Sequence, residues 1–405
     1  MAVAEAGFGR FYRNAVDLHR LCSIAALTML IAIPMVGSLA ALGFLAAGLG
    51  LCALSPRDTL REAVRFWPLL ALPTFATLSL LWSEAPAASL RFGLQLGITA
   101  LIAILLARHM PLRSFLTVTL CVLAGVVGMS IIAGSYRSDT GALTGFYASK
   151  NAMGQAAAVL ALIGAGYAGR GRGVIASGIF IMGLLAVTLA QSMSGLSALI
   201  MAALAILAVR MLQPLRPVSR MVASLFCFLA GILAMILAVT YFDAVAELVL
   251  RLTGKDVTLT GRTQLWSVAM TEIRERPLLG VGFQAFWLPG NPTAEALWRT
   301  FGIEARTGFH FHSTFLSNAV EIGIPAVTYQ TGLLIVTLVR SARLALAQPG
   351  RDSYILFGLV AMVAALTPVE VPVFFQFSLT TVLLMSACVY STQAITAGSK
   401  SDRPA

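Results

Sequence analysis

In the stretch "GFHFHSTFLSNAVEIGIP", residues 308–325, His310 and His312 precede a long apolar run in a chain that has only four histidines. A neutral imidazole titrating near its usual value of about 6.5 is suited to take a proton from a hydroxyl. His312, placed where a loop meets the apolar run, is therefore a candidate general base. A helix-capping role at a membrane interface is the other reading of either histidine. The two are spaced i, i+2, and neither an HExxH pattern nor a cysteine pair accompanies them, so no metal site is expected. Glu321 lies about 13 Å further along a helix, at 1.5 Å per residue. A carboxylate at that depth in an apolar segment is costly and is usually paired or functional. It points to the opposite face of an ideal helix from His312, so it is expected to hold a neighbouring helix or loop, not to form a dyad.

Cations that suit an anionic substrate occur in two other places. "GSYRSDTGALTGFYASKNAMGQ", residues 134–155, sets Arg137, Lys150 and Asn151 close together, the last two at the start of a helix. Free backbone N–H groups and the helix dipole favour an anion there; snorkelling of Lys150 to lipid headgroups is the alternative. "TGRTQLW" begins an amphipathic helix with Arg262, whose planar fork of donors matches phosphate oxygens. No GxSxG, Walker or dinucleotide fingerprint is present, so no nucleotide or other cofactor is expected.

These residues must be positioned by membrane helices. The chain is 58% hydrophobic and 11% charged, with a mean hydropathy of +0.87, outside the range of soluble domains. About twelve apolar runs are long enough to cross some 30 Å of hydrocarbon. They cover roughly 21–35, 37–54, 66–82, 92–107, 115–133, 151–169, 174–191, 196–212, 221–241, 314–339, 354–369 and 374–390. The expectation is an all-α polytopic membrane protein: a segment 1–20, spans one to nine over 21–241, one large loop over 242–313, spans ten to twelve over 314–390, and a tail 391–405. The amino-terminal segment has no short apolar core with a cleavage site, so it is not expected to be a removable signal. All five cysteines fall in apolar runs and read as packing residues.

The formal charge of +11 is spread over short loops and forms no stripe with interleaved aromatics, which argues against nucleic acid as a partner. Most basic residues outside the large loop fall on one side of this arrangement, leaving Arg91, Arg137 and Lys150 on the other. The positive-inside rule then puts both termini in the cytoplasm and the large loop outside.

Three stretches together resemble the O-antigen ligase and O-antigen polymerase superfamily, which includes exopolysaccharide polymerisation proteins. They are "GFYASKN" before a helix, "GRTQLW" with "ERPLLGVGF" in the large loop, and "HFHSTFLSNAVEIGIP". The resemblance implies a metal-independent, multi-spanning glycosyltransferase of GT-C type in the bacterial inner membrane. Its donor would be a glycan on undecaprenyl diphosphate, and its acceptor another glycan, lipid A core or a protein. Membrane lipids, a chain-length regulator and export proteins would be partners. Mapped onto this chain, Arg262 and His312 are the catalytic candidates, and Lys150, Asn151, Arg137, Arg91 and Glu321 the substrate-binding ones. The chain departs from the family pattern at His312-Ser313, where His-Asn is frequent. It departs again at Ser192-Met193-Ser194, where Ser-Arg is often found and where Arg137 or Arg91 would have to replace the charge. The wording of "GFYASKN" is closer to polymerases than to ligases. A transporter or flippase for the same lipid-linked glycan is the alternative, and it predicts matching halves and ionisable residues deep in the spans. A scaffold subunit would leave His312 and Arg262 without a role.

Overall fold

The computed structural model describes residues 2–168, 173–216, 218–223, 261–306 and 308–401. The ninth expected span and the first expected helix of the large loop, "DAVAELVLRL", lie almost wholly or wholly outside the described residues. Each of the other eleven expected spans coincides with a helix. These are α1 (Ala2–Val36), α2 (Ser38–Leu54), α4 (Trp67–Leu78), α5 (Pro86–His109), α6 (Leu112–Ala133), α7 (Lys150–Tyr167), α8 (Gly173–Leu189), α9 (Met193–Leu212), α12 (Thr314–Ala347), α13 (Arg351–Leu366) and α14 (Leu379–Ser401). Gly37, at φ +71, is all that separates α1 from α2. By length and composition five described helices can cross a membrane, or six if α2 and α3 (Pro56–Arg65), bent by 102° to each other, count as one. The expected count of about twelve is not reached among the described residues, which leave out nearly all of the ninth span and in which several apolar helices, among them α4, α8 and α14, have apolar stretches of 17 residues or fewer. A two-stranded hairpin, β1 (Ser135–Tyr136) with β2 (Leu143–Gly145), interrupts the otherwise helical fold between α6 and α7.

Helix α3 appears where a plain connection was expected. Pro56 opens it and Asp58 lies in its first turn, both favourable there. Its buried Glu62 meets Arg65 at 3.9 Å and Arg108 at 3.5 Å. The core lies among α1, α2, α4 to α9 and α12 to α14, with Phe44, Phe115, Leu105 and Leu160 fully enclosed.

The described part of the large loop folds as a cap with its own small core. Helices α10 (Arg262–Glu275) and α11 (Pro292–Thr300) bury Leu265, Ala269, Leu297 and Trp298 against Phe286, Phe311 and Val320. Ring centroids of Phe286 and Phe311 lie 4.9 Å apart, and those of Trp287 and Phe309 5.1 Å. This aromatic packing fixes the segment that carries both histidines.

The cap is joined to the bundle at a break in α12. Pro325 has no N–H to offer the carbonyl of Glu321, and Gly323 adopts φ +81, ψ 168. Residues 277–282 supply the missing partners. Gly282 N–H donates to Glu321 O at 2.8 Å and Val281 N–H to Val320 O at 2.9 Å, while Ile324 N–H donates to Pro277 O at 2.8 Å. A Cβ on Gly323 would come within 2.1 Å of Leu278 O, so glycine is required at the crossing. Irregular backbone inside an apolar helix is tolerable only where other protein groups satisfy it.

Candidate functional site

Thr367 keeps helical φ −57, ψ −33, but Pro368 after it has no N–H to continue the ladder; α13 ends at Leu366 and α14 begins at Leu379. The expected short turn is thus a folded linker, 367–378, which delivers Glu370 into the protein. Glu370 is 2% exposed. Thr314, first residue of α12, donates its N–H to Thr367 O and Glu370 O, both at 2.9 Å, and its hydroxyl to Glu370 O at 2.9 Å. The unsatisfied N–H groups of a helix start therefore bind the linker and hold Glu370 beside the residues preceding α12.

Four side chains gather around the Glu370 carboxylate. Asn151 Nδ2 donates to Oε1 at 2.7 Å, and Arg262 Nη2 donates to the same oxygen at 3.1 Å while Nη1 reaches Val369 O at 3.0 Å. His312 Nδ1 lies 3.5 Å from Oε2, long for a hydrogen bond, and is otherwise buried without a partner. His310 stacks edge-on against His312 with centroids 4.3 Å apart and accepts the His312 backbone N–H on Nδ1 at 3.0 Å. His312 is held at φ +51, a left-handed conformation uncommon outside glycine and frequent at functional sites. Trp266 Nε1 donates to Phe311 O at 2.8 Å, which ties α10 to the same segment. Gly261, at φ +96, precedes Arg262, and a Cβ there would meet Phe301 at 2.3 Å.

Burial of Glu370 favours its neutral form, but His312, His310 and Arg262 outweigh this and hold its titration below the usual carboxylate range. Glu370 is the anionic hub of the cluster at neutral pH. His310 is pushed down to about 4, chiefly by burial and also by the neighbouring His312. It is therefore neutral, and since Nδ1 is an acceptor its proton lies on Nε2. A neutral histidine in the fold that binds a proton near 6.5 once unfolded contributes stability fully present above pH 6.5 and lost as pH falls towards 4. Glu370 adds an acid loss only below its ordinary 4.5. The melting temperature, followed by tryptophan fluorescence, accordingly declines between pH 6.5 and 4.5, and His310→Asn, which keeps an acceptor for the His312 N–H, flattens that limb. An unchanged limb in His310→Asn would assign it to another group.

Among the described residues, ligand atoms of His310, His312 and Glu370 lie within 4.8 Å of one another. Two imidazoles and a carboxylate form a possible metal-ligand set. Glu370, however, already accepts from Asn151 and Arg262, and a guanidinium 3.1 Å from one of its oxygens opposes a dication at the same carboxylate.

The pattern that defines the O-antigen ligase family matches residues 178–331. The chain is also 32% identical over 369 residues, 86% of this chain and 82% of the relative, to the exopolysaccharide production protein ExoQ of Rhizobium meliloti (strain 1021). The chain belongs to the O-antigen ligase family. The family-matched stretch of this O-antigen ligase family member contains Arg262, His310, His312 and Glu321, and ends before Glu370.

Of the residues singled out in the sequence, the fold brings Arg262, Asn151 and His312 together and sets Lys150 at the first position of α7 beside Asn151. It does not bring the other three to the cluster. Arg137 pairs with Asp139 through Nε at 2.9 Å and Nη2 at 2.6 Å in the exposed hairpin. Arg91 lies over the Phe92 ring at 5.3 Å. Glu321 accepts the Gln284 backbone N–H at 2.9 Å and so fastens the cap to the α12 break. Sequence reading missed Glu370. The available signal was its isolation, as no other Asp, Glu, Lys or Arg lies between Asp352 and Lys400, and a lone carboxylate between apolar runs is expected to be paired or functional.

Proposed function

We propose that this chain is a membrane glycosyltransferase of surface-polysaccharide assembly. It moves a glycan from undecaprenyl diphosphate to a sugar hydroxyl at the periplasmic face of the inner membrane. The single observation that carries this reading is the convergence of His312, Arg262 and Asn151 on buried Glu370. With Nδ1 of His312 turned to the carboxylate, Nε2 is left to take the proton of the acceptor hydroxyl. The acceptor oxygen forms a bond to the anomeric carbon as the bond from that carbon to the diphosphate oxygen breaks, and the lipid diphosphate leaves with its electron pair. Glu370 stabilises the imidazolium that results, as the carboxylate of a hydrolytic triad does. Arg262 and Lys150, with the start of α7, supply positive charge for the diphosphate. An apolar cavity of about 200 Å³, lined in part by Leu30, Ile31, Pro34, Tyr147, Gln155 and Val159, begins within one turn of Asn151 and suits the first isoprene units of the prenyl chain.

The acceptor we favour is another lipid-linked repeat, which makes the reaction a polymerisation; the name of the ExoQ relative, an exopolysaccharide production protein, supports this over transfer to lipid A core or protein. The test is incubation of the purified protein with a synthetic undecaprenyl-diphosphate glycan. Longer glycan and free lipid diphosphate are the expected products. Intact donor moved across the bilayer of a vesicle, with no diphosphate released, would establish a transporter instead.

A further inference from the structure

Between α4 and α12, at the end of the bundle away from Glu370, lies a cleft of about 670 Å³. Its lining is mostly apolar, with Trp67, Leu69, Leu333 and Val336, and includes Arg65 and Arg340; no carboxylate is among its described lining residues. Arg340 donates from Nη1 to Thr392 Oγ1 at 2.9 Å, and Arg65 lies 5.2 Å over the Phe66 ring with only a long 3.9 Å approach to Glu62. The Tyr329 hydroxyl donates to Pro68 O at 2.9 Å and pins the two helices together at the cleft. Gly332 opens it: a Cβ built there meets nothing within 4 Å. Trp67 and Val336, both in its lining, are exposed large apolar side chains, which suits a cleft open to the membrane. Its length along α12, from Thr328 to Arg340, is about 18 Å at the helical rise, close to the roughly 15 Å of one hydrocarbon leaflet.

We propose that this cleft binds an anionic phospholipid, with the headgroup phosphate between Arg65 and Arg340 and an acyl chain along Leu69, Leu333 and Val336. Two guanidiniums with no carboxylate on the lining favour an anion, and the apolar trough beneath them favours one that carries a chain. Basic pockets between membrane helices recognise anionic headgroups on this principle. Neither arginine belongs to the Glu370 cluster, so the site is independent of the transfer reaction.

The test uses the purified full chain, delipidated and titrated with dioleoylphosphatidylglycerol or dioleoylphosphatidylcholine, with bound lipid counted by native mass spectrometry. The wild type should retain the glycerol lipid roughly thirtyfold better, the worth of two arginines near a lipid surface. Arg65→Gln with Arg340→Gln should erase that preference. Gly332→Leu should cut retention of the lipid while leaving the melting temperature unchanged, because the added side chain enters open space, and this keeps the test valid if the arginine variant fails to fold. Equal retention of both lipids by the wild type, or unaltered retention in Gly332→Leu, would overturn the proposal. So would displacement of the lipid by millimolar inorganic phosphate, which would reveal an anion site with no use for the chain.

Discussion

His312→Ala lowers the rate of glycan transfer by roughly 10² to 10⁴, the usual worth of a positioned general base. The loss is expected in the chemical step, because the diphosphate cations stay in place and donor binding persists. Added chelator should change nothing, since a guanidinium at the Glu370 carboxylate opposes a dication there. His310→Ala is not a neutral control, because His310 accepts the backbone N–H of His312; His310→Asn is the better comparison. Single-turnover kinetics with a bound synthetic donor measures the effect directly. A wild-type rate in His312→Ala would reduce His312 to a cap on α12.

Arg262→Ala has two expected effects with different physical origins. The Arg262 side chain is 17% exposed and that of Glu370 3%, so removing the cation leaves a buried carboxylate without its guanidinium partner. Breaking a pair of this kind costs about 3 to 5 kcal/mol. Transfer should fall below detection as well, because the guanidinium is lost to the diphosphate. Arg262→Lys should rescue poorly: an ammonium cannot reach Glu370 and the Val369 carbonyl at once with the geometry of a planar fork. Adding Glu370→Gln to Arg262→Ala removes the stranded charge and should recover melting temperature without recovering transfer. Transfer by the double variant equal to that of Glu370→Gln alone would show that Arg262 acts only as a structural counter-ion.

Local patterns in the sequence were read more successfully than contacts across it. The helices of the spans were legible because each is a run of apolar residues bounded by polar, proline or glycine residues. The membership was legible because "GRTQLW" and "HFHSTFLSNAVEIGIP" are contiguous. Arg262, Asn151 and His312 could be named, but their common partner could not. Glu370 lies far along the chain from Asn151 and Arg262, and hydropathy reads "TPVEVPV" as a turn between spans, not as a linker that folds back onto Thr314. Arg137 and Arg91 were assigned by the side of the membrane they were expected to occupy. That criterion is blind to Asp139 two residues away and to the adjacent Phe92 ring. The break in α12 could be seen in "EIGIP", yet the exchange of its hydrogen bonds with residues 277–282 depends on a loop whose path no periodicity encodes. The amphipathic α3 was legible in principle, since Pro56 and Asp58 are ordinary helix-start residues, but a short charged segment between spans invites the simpler reading.

The account rests on Glu370 holding His312 as a base while Arg262 and Asn151 hold that carboxylate in place. The most direct measurement compares glycan transfer by purified wild-type protein and Glu370→Gln, using synthetic undecaprenyl-diphosphate glycan at saturating concentration. Glutamine keeps the shape and the acceptor for Asn151 and removes the charge that stabilises imidazolium. The predicted result is a rate reduced about a hundredfold or more, with donor binding retained. A Glu370→Gln enzyme that is folded and transfers glycan at the wild-type rate would contradict the account.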